Sequence, residues 1–236
     1  MINYFRGIIM TDIQSFLFSN QDLKYRDFNI KLVPDIPAGK VVGVRSPVLR
    51  AKAKQMVKSG EAVKFIKKLP HKYQEENILH AYIISEIADM QTVFAEVERF
   101  LPYIDNWAVC DVIRPKPFKK GGNELLSRIK LWLKSDETYT VRFGIVMLMT
   151  YYLDDGFEKS QALWVAASDS DEYYISMAVA WYFATALAKQ YDSVLPVITS
   201  KKLSAPTHNR AIRKAAESLR ISEQKKTYLK TLIIKK

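Results

Sequence analysis

Apolar residues recur at three- and four-residue spacing along most of the chain after about residue 45, a pattern that predicts helices rather than strands. Capping residues and short breaks separate these stretches at fairly even intervals. The predicted helices cover residues 47–59, 61–68, 74–89, 91–101, 104–112, 123–134, 137–153, 156–167, 171–191, 192–200, 207–219 and 223–233. We therefore predict an all-α fold.

Equivalent positions recur every 34 residues in the second half of the chain. Arg142, Ser176 and Arg210 occupy this spacing in the first helices of successive helix pairs. The second helices show the same offset in their apolar residues Trp164, Ile198 and Leu232. A helix pair of this length cannot bury its apolar face alone and must stack on its neighbours. The repeat predicts a curved α-solenoid of HEAT-like helix pairs.

The composition is that of an ordinary globular chain, with 48% hydrophobic residues, 8 glycines and 9 prolines. At 236 residues we expect one domain spanning residues 1–236. Because residues 11–14 have the pattern of a helix start, we expect residues 1–9 to be an extension without a role in folding. No apolar run reaches the roughly 20 residues of a spanning helix, and no secretion signal is evident, so we expect a cytoplasmic protein.

Positive charge dominates, with 36 Lys and Arg against 25 Asp and Glu and a net charge of +11. This balance favours a polyanionic partner, either nucleic acid or an acidic membrane surface. Basic residues recur at predicted helix starts and loops, where a phosphate backbone can bind. The single Cys110 and three scattered histidines favour neither a disulfide framework nor a metal site.

Trp107 and Asp111 are four residues apart, which places them on one face of a helix. A fixed carboxylate can stabilise the positive charge that develops on a sugar when an N-glycosidic bond breaks, and an indole offers an electron-rich face to a cation. On spacing alone the structural interpretation is favoured, with Trp107 in the core and Asp111 either capping a helix or paired with Arg114.

Two further residues stand out in the apolar repeats. Arg142 lies in a stretch apolar enough to be buried, so its charge requires a partner: either a carboxylate such as Asp111 or a phosphate. The helix around Trp181 is apolar on all sides, so Trp181 is expected in the core. Its position one turn beyond the equivalent of Arg142 also allows both residues to face one groove.

Two segments resemble the AlkD-like DNA alkylation repair glycosylases, a bacterial family built from HEAT-like repeats. Residues 43–54, GVRSPVLRAKAK, are similar to the family's early GVR-x-P-x-LR-x-x-AK motif, and residues 106–111, NWAVCD, are similar to its NW-x-x-x-D motif. The resemblance implies excision of cationic N3- and N7-alkylated purines from duplex DNA. It also implies that no metal or organic cofactor takes part.

The resemblance also implies roles for individual residues. Asp111 corresponds to the catalytic carboxylate, Trp107 and Trp181 to the cleft tryptophans, Arg142 to an arginine near the lesion backbone, and Tyr25 to an aromatic residue lining the cleft. Basic residues expected to bind DNA are Arg45, Arg50, Lys119, Lys120, Arg210 and Arg213. The expected partner is duplex DNA with alkylated bases, bound by a monomer without membrane or metal.

Two alternatives remain open. A relative that keeps the fold and the basic groove without turnover would bind DNA and release no base. In a protein-binding HEAT scaffold, the net positive charge would have no role in the function. Salt separates the scaffold from the other two, because phosphate contacts weaken steeply as ionic strength rises.

Overall fold

The computed structural model describes residues 3–5 and 8–235. These residues are predominantly helical, which confirms the predicted all-α class. The helices are α1 (Asp12–Ser19), α2 (Leu23–Leu32), α3 (Ser46–Ser59), α4 (Ala62–Ile66), α5 (Gln74–Glu86), α6 (Met90–Phe100), α7 (Trp107–Cys110), α8 (Gly122–Trp132), α9 (Thr138–Tyr151), α10 (Lys159–Ala167), α11 (Tyr173–Lys189), α12 (Tyr191–Thr199), α13 (Ala205–Ala216) and α14 (Glu223–Thr231).

A short antiparallel hairpin precedes α1. It pairs β1 (Asn3–Phe5) with β2 (Ile8–Met10), with Asn3 opposite Met10. Of the predicted extension 1–9, residues 1, 2, 6 and 7 lie outside the described residues, and the others belong to this hairpin. The absence of a folding role for 1–9 stays a prediction. The helix start predicted at 11–14 is confirmed by a capping box, in which Thr11 and Gln14 exchange side-chain hydrogen bonds with each other's main-chain N–H groups.

The chain divides into two compact units, an N-terminal unit (Met1–Lys120) and a C-terminal unit (Gly121–Lys236). A single domain over residues 1–236 stays a prediction. Among the described residues, no helix combines the length and the apolar character that crossing a membrane requires.

Helix pairs stack in register within the C-terminal unit. Helix α11 packs against both α9 and α13, while α10 packs against α12. The 34-residue offset is visible as a contact, because the Arg210 Nη1 donates to the Ser176 Oγ at 3.1 Å across the α11–α13 interface. Like helices of successive pairs therefore lie side by side, which is the stacking of an α-solenoid and confirms the predicted repeat.

Helix α5 forms the centre of the N-terminal unit, and residues 74–85 are all buried. Helices α1, α3, α4, α6 and α7 pack against it. Its Glu75 carboxylate accepts the main-chain N–H groups of Val42 at 2.9 Å and Gly43 at 2.7 Å. Burial raises the pKa of this carboxyl, and the N–H donors act in the opposite direction. The buried Glu75 thus fastens the segment before α3 to the core.

The backbone geometry at position 43 explains why the GVR motif begins with glycine. Its φ of +92° lies in the left-handed region, and an added Cβ would approach the Arg26 Cβ to 2.4 Å and the Asp22 carbonyl oxygen to 2.8 Å. The Gly43 carbonyl also accepts the Asp22 N–H at 2.9 Å. Only glycine allows the chain to pass this close to the start of α2.

One predicted helix was too long, and one helix was not predicted. The helix predicted over 104–112 covers only Trp107–Cys110, because residues 101–103 form a 3-10 turn and Asn106 is extended, with φ −156° and ψ 159°. Helix α2 was not predicted, since its sequence has no apolar stripe and the helix buries only Asn29. Polar contacts help to hold α2: the Asp22 side chain accepts the Tyr25 N–H at 2.9 Å, and the Arg26 Nε–H donates to the Val41 carbonyl at 3.0 Å.

We expect Gly43→Ala to destabilise the fold by about 2 kcal/mol or more, because the new methyl group meets backbone and the φ angle is strained. Gly39→Ala is the matched control, since nothing lies within 4 Å of a Cβ at that position. Urea unfolding of both variants measures the difference. Equal stability of the two variants would contradict this account of the motif.

Candidate functional site

A single capped turn places Trp107 beside Asp111 in the N-terminal unit. The buried Asn106 side chain accepts the Val109 N–H at 3.2 Å and so starts the turn. The Asp111 N–H donates to the Trp107 carbonyl at 2.9 Å and closes it. The i, i+4 relation predicted from the spacing is therefore present, although the helix is only four residues long.

Trp107 is held in place by a hydrogen bond and by packing. The ring N–H donates to the Leu32 carbonyl at 3.0 Å, at the C-terminal end of α2. The side chain also packs against a small buried cluster of Val33, Ile36 and Val41. Trp107 is only partly buried, so one part of the ring stays accessible. It is both a packed residue and a surface one.

Asp111 is partly exposed, while the preceding Cys110 is fully buried. The carboxylate-bearing residue therefore lies where the chain leaves the core. The next residues turn back onto α5, because the Arg114 N–H donates to the Ser85 Oγ at 2.8 Å. This arrangement leaves Asp111 partly exposed at the edge of a fixed turn.

Tyr25 and Arg45 come together around Asp22 in the same unit. The Arg45 guanidinium pairs with the Asp22 carboxylate at 2.8 Å and lies 4.9 Å from the centre of the Tyr25 ring. The Tyr25 N–H, followed by the Arg45 hydrogen bond, lowers the pKa of the Asp22 carboxyl. Tyr25 lies seven residues before Leu32 on α2, which is about 10 Å along the helix axis. Tyr25 therefore lies on the same helix whose Leu32 carbonyl accepts the Trp107 hydrogen bond.

Arg142 belongs to the C-terminal unit, where it is buried in α9 with 6% of its surface exposed. Its Nη1 donates to the main-chain carbonyl of Tyr174 at 2.9 Å, in the first turn of α11. The expectation of a buried arginine that needs a partner is confirmed. One of its partners is a carbonyl, a group that the sequence alternatives did not include.

Trp181 is not a core residue, contrary to the expectation from its apolar helix. It is 37% exposed, whereas Ala180 and Tyr182 on either side are fully buried. Four of the accessible positions of α11 recur every four residues, at Tyr173, Met177, Trp181 and Thr185. The sequence pattern does not reveal this narrow stripe, because its residues are largely apolar like the rest of the helix.

Basic residues of α13 lie beside the exposed stripe of α11. The Arg210 guanidinium is 5.7 Å from the centre of the Tyr173 ring. Lys214 and Arg220 line a shallow hollow together with Trp181. Arg213 is exposed on the same helix and lines a second hollow with Arg210. Sequence reasoning missed Tyr173, whose only signal was its place three residues before the repeat position Ser176.

The predicted site residues are distributed over the two units. The N-terminal unit contains Tyr25, Arg45, Arg50, Trp107, Asp111, Lys119 and Lys120, and the C-terminal unit contains Arg142, Trp181, Arg210 and Arg213. Lys119 and Lys120 are exposed at the end of a short 3-10 helix. In the described part of the chain, no group of three or more His, Cys, Asp or Glu side chains is placed to hold a metal ion.

Comparison with known protein families gives a match over most of the chain. A family model described as DNA alkylation repair enzyme matches residues 27–219, which cover most of each unit. A search of curated proteins found no match. The matched region contains the Trp107–Asp111 turn and the α11–α13 stripe, which consists of Tyr173 on α11 and Arg210 and Arg213 on α13.

Because Trp181 is partly exposed and Phe183 is fully buried on the same helix, replacing each by alanine separates surface from core. Phe183→Ala is expected to cost about 3–5 kcal/mol of unfolding free energy. Trp181→Ala should cost about two-thirds of that or less, because more than a third of the residue already contacts water. Thermal or urea unfolding measures both. A cost for Trp181→Ala as large as that for Phe183→Ala would make Trp181 a core residue.

Proposed function

Because the chain belongs to the family of DNA alkylation repair enzymes, we propose that it is a DNA glycosylase that removes N3- and N7-alkylated purines from duplex DNA. The observation that carries this proposal is the capped turn in which the anchored indole of Trp107 stands one helical turn from the Asp111 carboxylate. Family membership supports an enzyme of DNA alkylation repair, and the turn supplies a chemical group for base excision.

An N3- or N7-alkylated purine carries a positive charge and is therefore a good leaving group. When the bond between C1′ and the purine N9 breaks, its electron pair leaves with the base and neutralises that charge. Positive charge then develops on the deoxyribose, where a fixed carboxylate lowers the barrier. Asp111 has this role in the proposal. Water adds to C1′ and loses a proton, which leaves an abasic site.

Trp107 complements the carboxylate. The face of an indole ring attracts cations by about 0.5–2 kcal/mol, and the hydrogen bond to Leu32 keeps the ring from rotating away. The ring can thus contact the deoxyribose, or the cationic base before the base leaves. Trp181 is proposed as the second tryptophan at the lesion, on the basis of its exposure and the family resemblance.

DNA binding is proposed for the basic and aromatic side chains of both units. Tyr25 with Arg45, and the α11–α13 stripe of Tyr173, Arg210 and Arg213, combine cations with flat rings. Arginine binds phosphate oxygens with two N–H groups, and such contacts position a duplex without reading its sequence. Arg142, Arg50, Lys119 and Lys120 are proposed to contribute to the same binding. The protein is proposed to act as a monomer, without a metal or an organic cofactor.

Release of 7-methylguanine from a duplex with one modified base tests the proposal. Under single-turnover conditions, we expect Asp111→Asn to slow release by at least about tenfold, equivalent to about 1.4 kcal/mol of transition-state stabilisation. The substitution retains size and hydrogen-bonding capacity and removes the charge. Asp155→Asn, in an exposed loop, is the matched control and should release base at the rate of the unaltered protein.

The binding of an unmodified duplex by each variant completes the experiment. Equal release by Asp111→Asn and the unaltered protein would remove Asp111 from the mechanism. Salt-sensitive binding without any release would make the chain a non-catalytic DNA-binding member of the family. The absence of both would favour a protein-binding scaffold.

A further inference from the structure

A cavity of about 230 Å³ lies beside α5 in the N-terminal unit, in the region that follows Asp111 along the chain. Arg50 and Lys54 line it from α3, and Arg114 and Lys116 line it from the segment after α7. The carboxylate in its wall is Glu86, which pairs with Lys116. Four cationic side chains around one carboxylate leave an excess of positive charge in a small space, which favours an anion.

Tyr82 supplies an independent sign of a ligand. This residue lines the cavity and is 5% exposed, and its hydroxyl has no hydrogen-bond partner among the described residues. A buried hydroxyl without a partner costs about 1–3 kcal/mol. The Arg50 guanidinium lies 5.0 Å from the centre of the same ring. An anion in the cavity can contact this guanidinium, and a small rotation of the Tyr82 ring would give the hydroxyl an acceptor.

The cavity wall is rigid and connected to the candidate active site. The Ser85 Oγ accepts the Arg114 N–H at 2.8 Å and donates to the Ala81 carbonyl at 2.8 Å, which ties the segment after Asp111 to α5. Arg114 follows Asp111 by three residues, a separation of at most about 11 Å along the chain. An anion in this cavity therefore lies within about one or two nucleotides of a sugar beside Asp111.

We propose that this cavity binds one backbone phosphate of the DNA strand, and that Arg50 is a positioning residue that fixes the deoxyribose against Asp111. The inference rests on the proposed function for its substrate. A phosphodiester fits because it is a compact anion whose oxygens accept hydrogen bonds in several directions, as guanidinium, ammonium and phenol donors require.

The test uses full-length protein and duplexes with a stable abasic analogue in place of the lesion. In each duplex one phosphate near the analogue is replaced by an uncharged methylphosphonate. At one or two adjacent positions, the replacement should weaken binding to the unaltered protein by about tenfold, because a charged contact is lost. With Arg50→Gln the same replacement should change affinity by less than about twofold, because the partner is already absent.

Lys54→Gln serves as a second variant and should lose sensitivity at the same phosphate. Lys58→Gln is the matched control, since Lys58 is exposed on the same helix and does not line the cavity. It should keep the full tenfold sensitivity. A merely structural role for Arg50 would weaken all duplexes alike and leave the methylphosphonate effect intact, which would overturn the proposal.

Failure of this inference differs from failure of the proposed function. If no phosphate position is sensitive in the unaltered protein while base release is normal, the cavity does not hold the backbone. If inorganic phosphate binds to the cavity and methylphosphonates have no effect, its ligand is a free phosphate, and the proposal is again wrong. If phosphate sensitivity depends on Arg50 but no base is released, the phosphate site in the cavity is supported and the proposed glycosylase activity is wrong.

Discussion

The hydrogen bond from the Trp107 indole to the Leu32 carbonyl joins segments that are 75 residues apart in sequence. It provides a partner for a carbonyl at the end of α2, where helices leave such groups without one. The ring also covers the cluster of Val33, Ile36 and Val41. Because Asn106 caps the turn and the Asp111 N–H closes it, the position of the ring determines the position of the carboxylate. Trp107 thus has a structural role beside the chemical one that we propose for it.

Pairing of arginine with tyrosine recurs across the chain. The described residues include Arg45 on Tyr25, Arg50 on Tyr82 and Arg210 on Tyr173, with guanidinium carbons 4.9, 5.0 and 5.7 Å from the ring centres. A guanidinium resting on a ring loses some of its rotational freedom before a ligand arrives, while its N–H edge stays available. Less entropy is then lost when a phosphate binds. Such pairs suit a surface that positions a charged backbone.

Much of the fold could be predicted because its signals are periodic. The 34-residue offset of Arg142, Ser176 and Arg210 became a side-by-side stack of helices, and the spacing of Trp107 and Asp111 survived in a turn of four residues. These relations depend on local geometry, which a one-dimensional pattern contains.

Other features depend on contacts between distant segments and could not be predicted. The exposure of Trp181 depends on which face of α11 its neighbours leave open, and a helix that is apolar on all sides conceals that face. The unpartnered hydroxyl of Tyr82 and the close approach of Gly43 to Arg26 arise only when the chain is folded. The Trp107 bond to Leu32 was missed for the same reason.

The most direct measurement of the central claim is how strongly the site prefers positive charge at the sugar. Duplexes carrying a cationic 1-azaribose abasic analogue or a neutral tetrahydrofuran abasic analogue differ mainly in that charge. The unaltered protein should bind the cationic duplex at least about tenfold more tightly, or about 1.4 kcal/mol, and Asp111→Asn should lose most of this preference. An undiminished preference in Asp111→Asn would show that the Asp111 carboxylate does not stabilise the charge that develops when the base leaves.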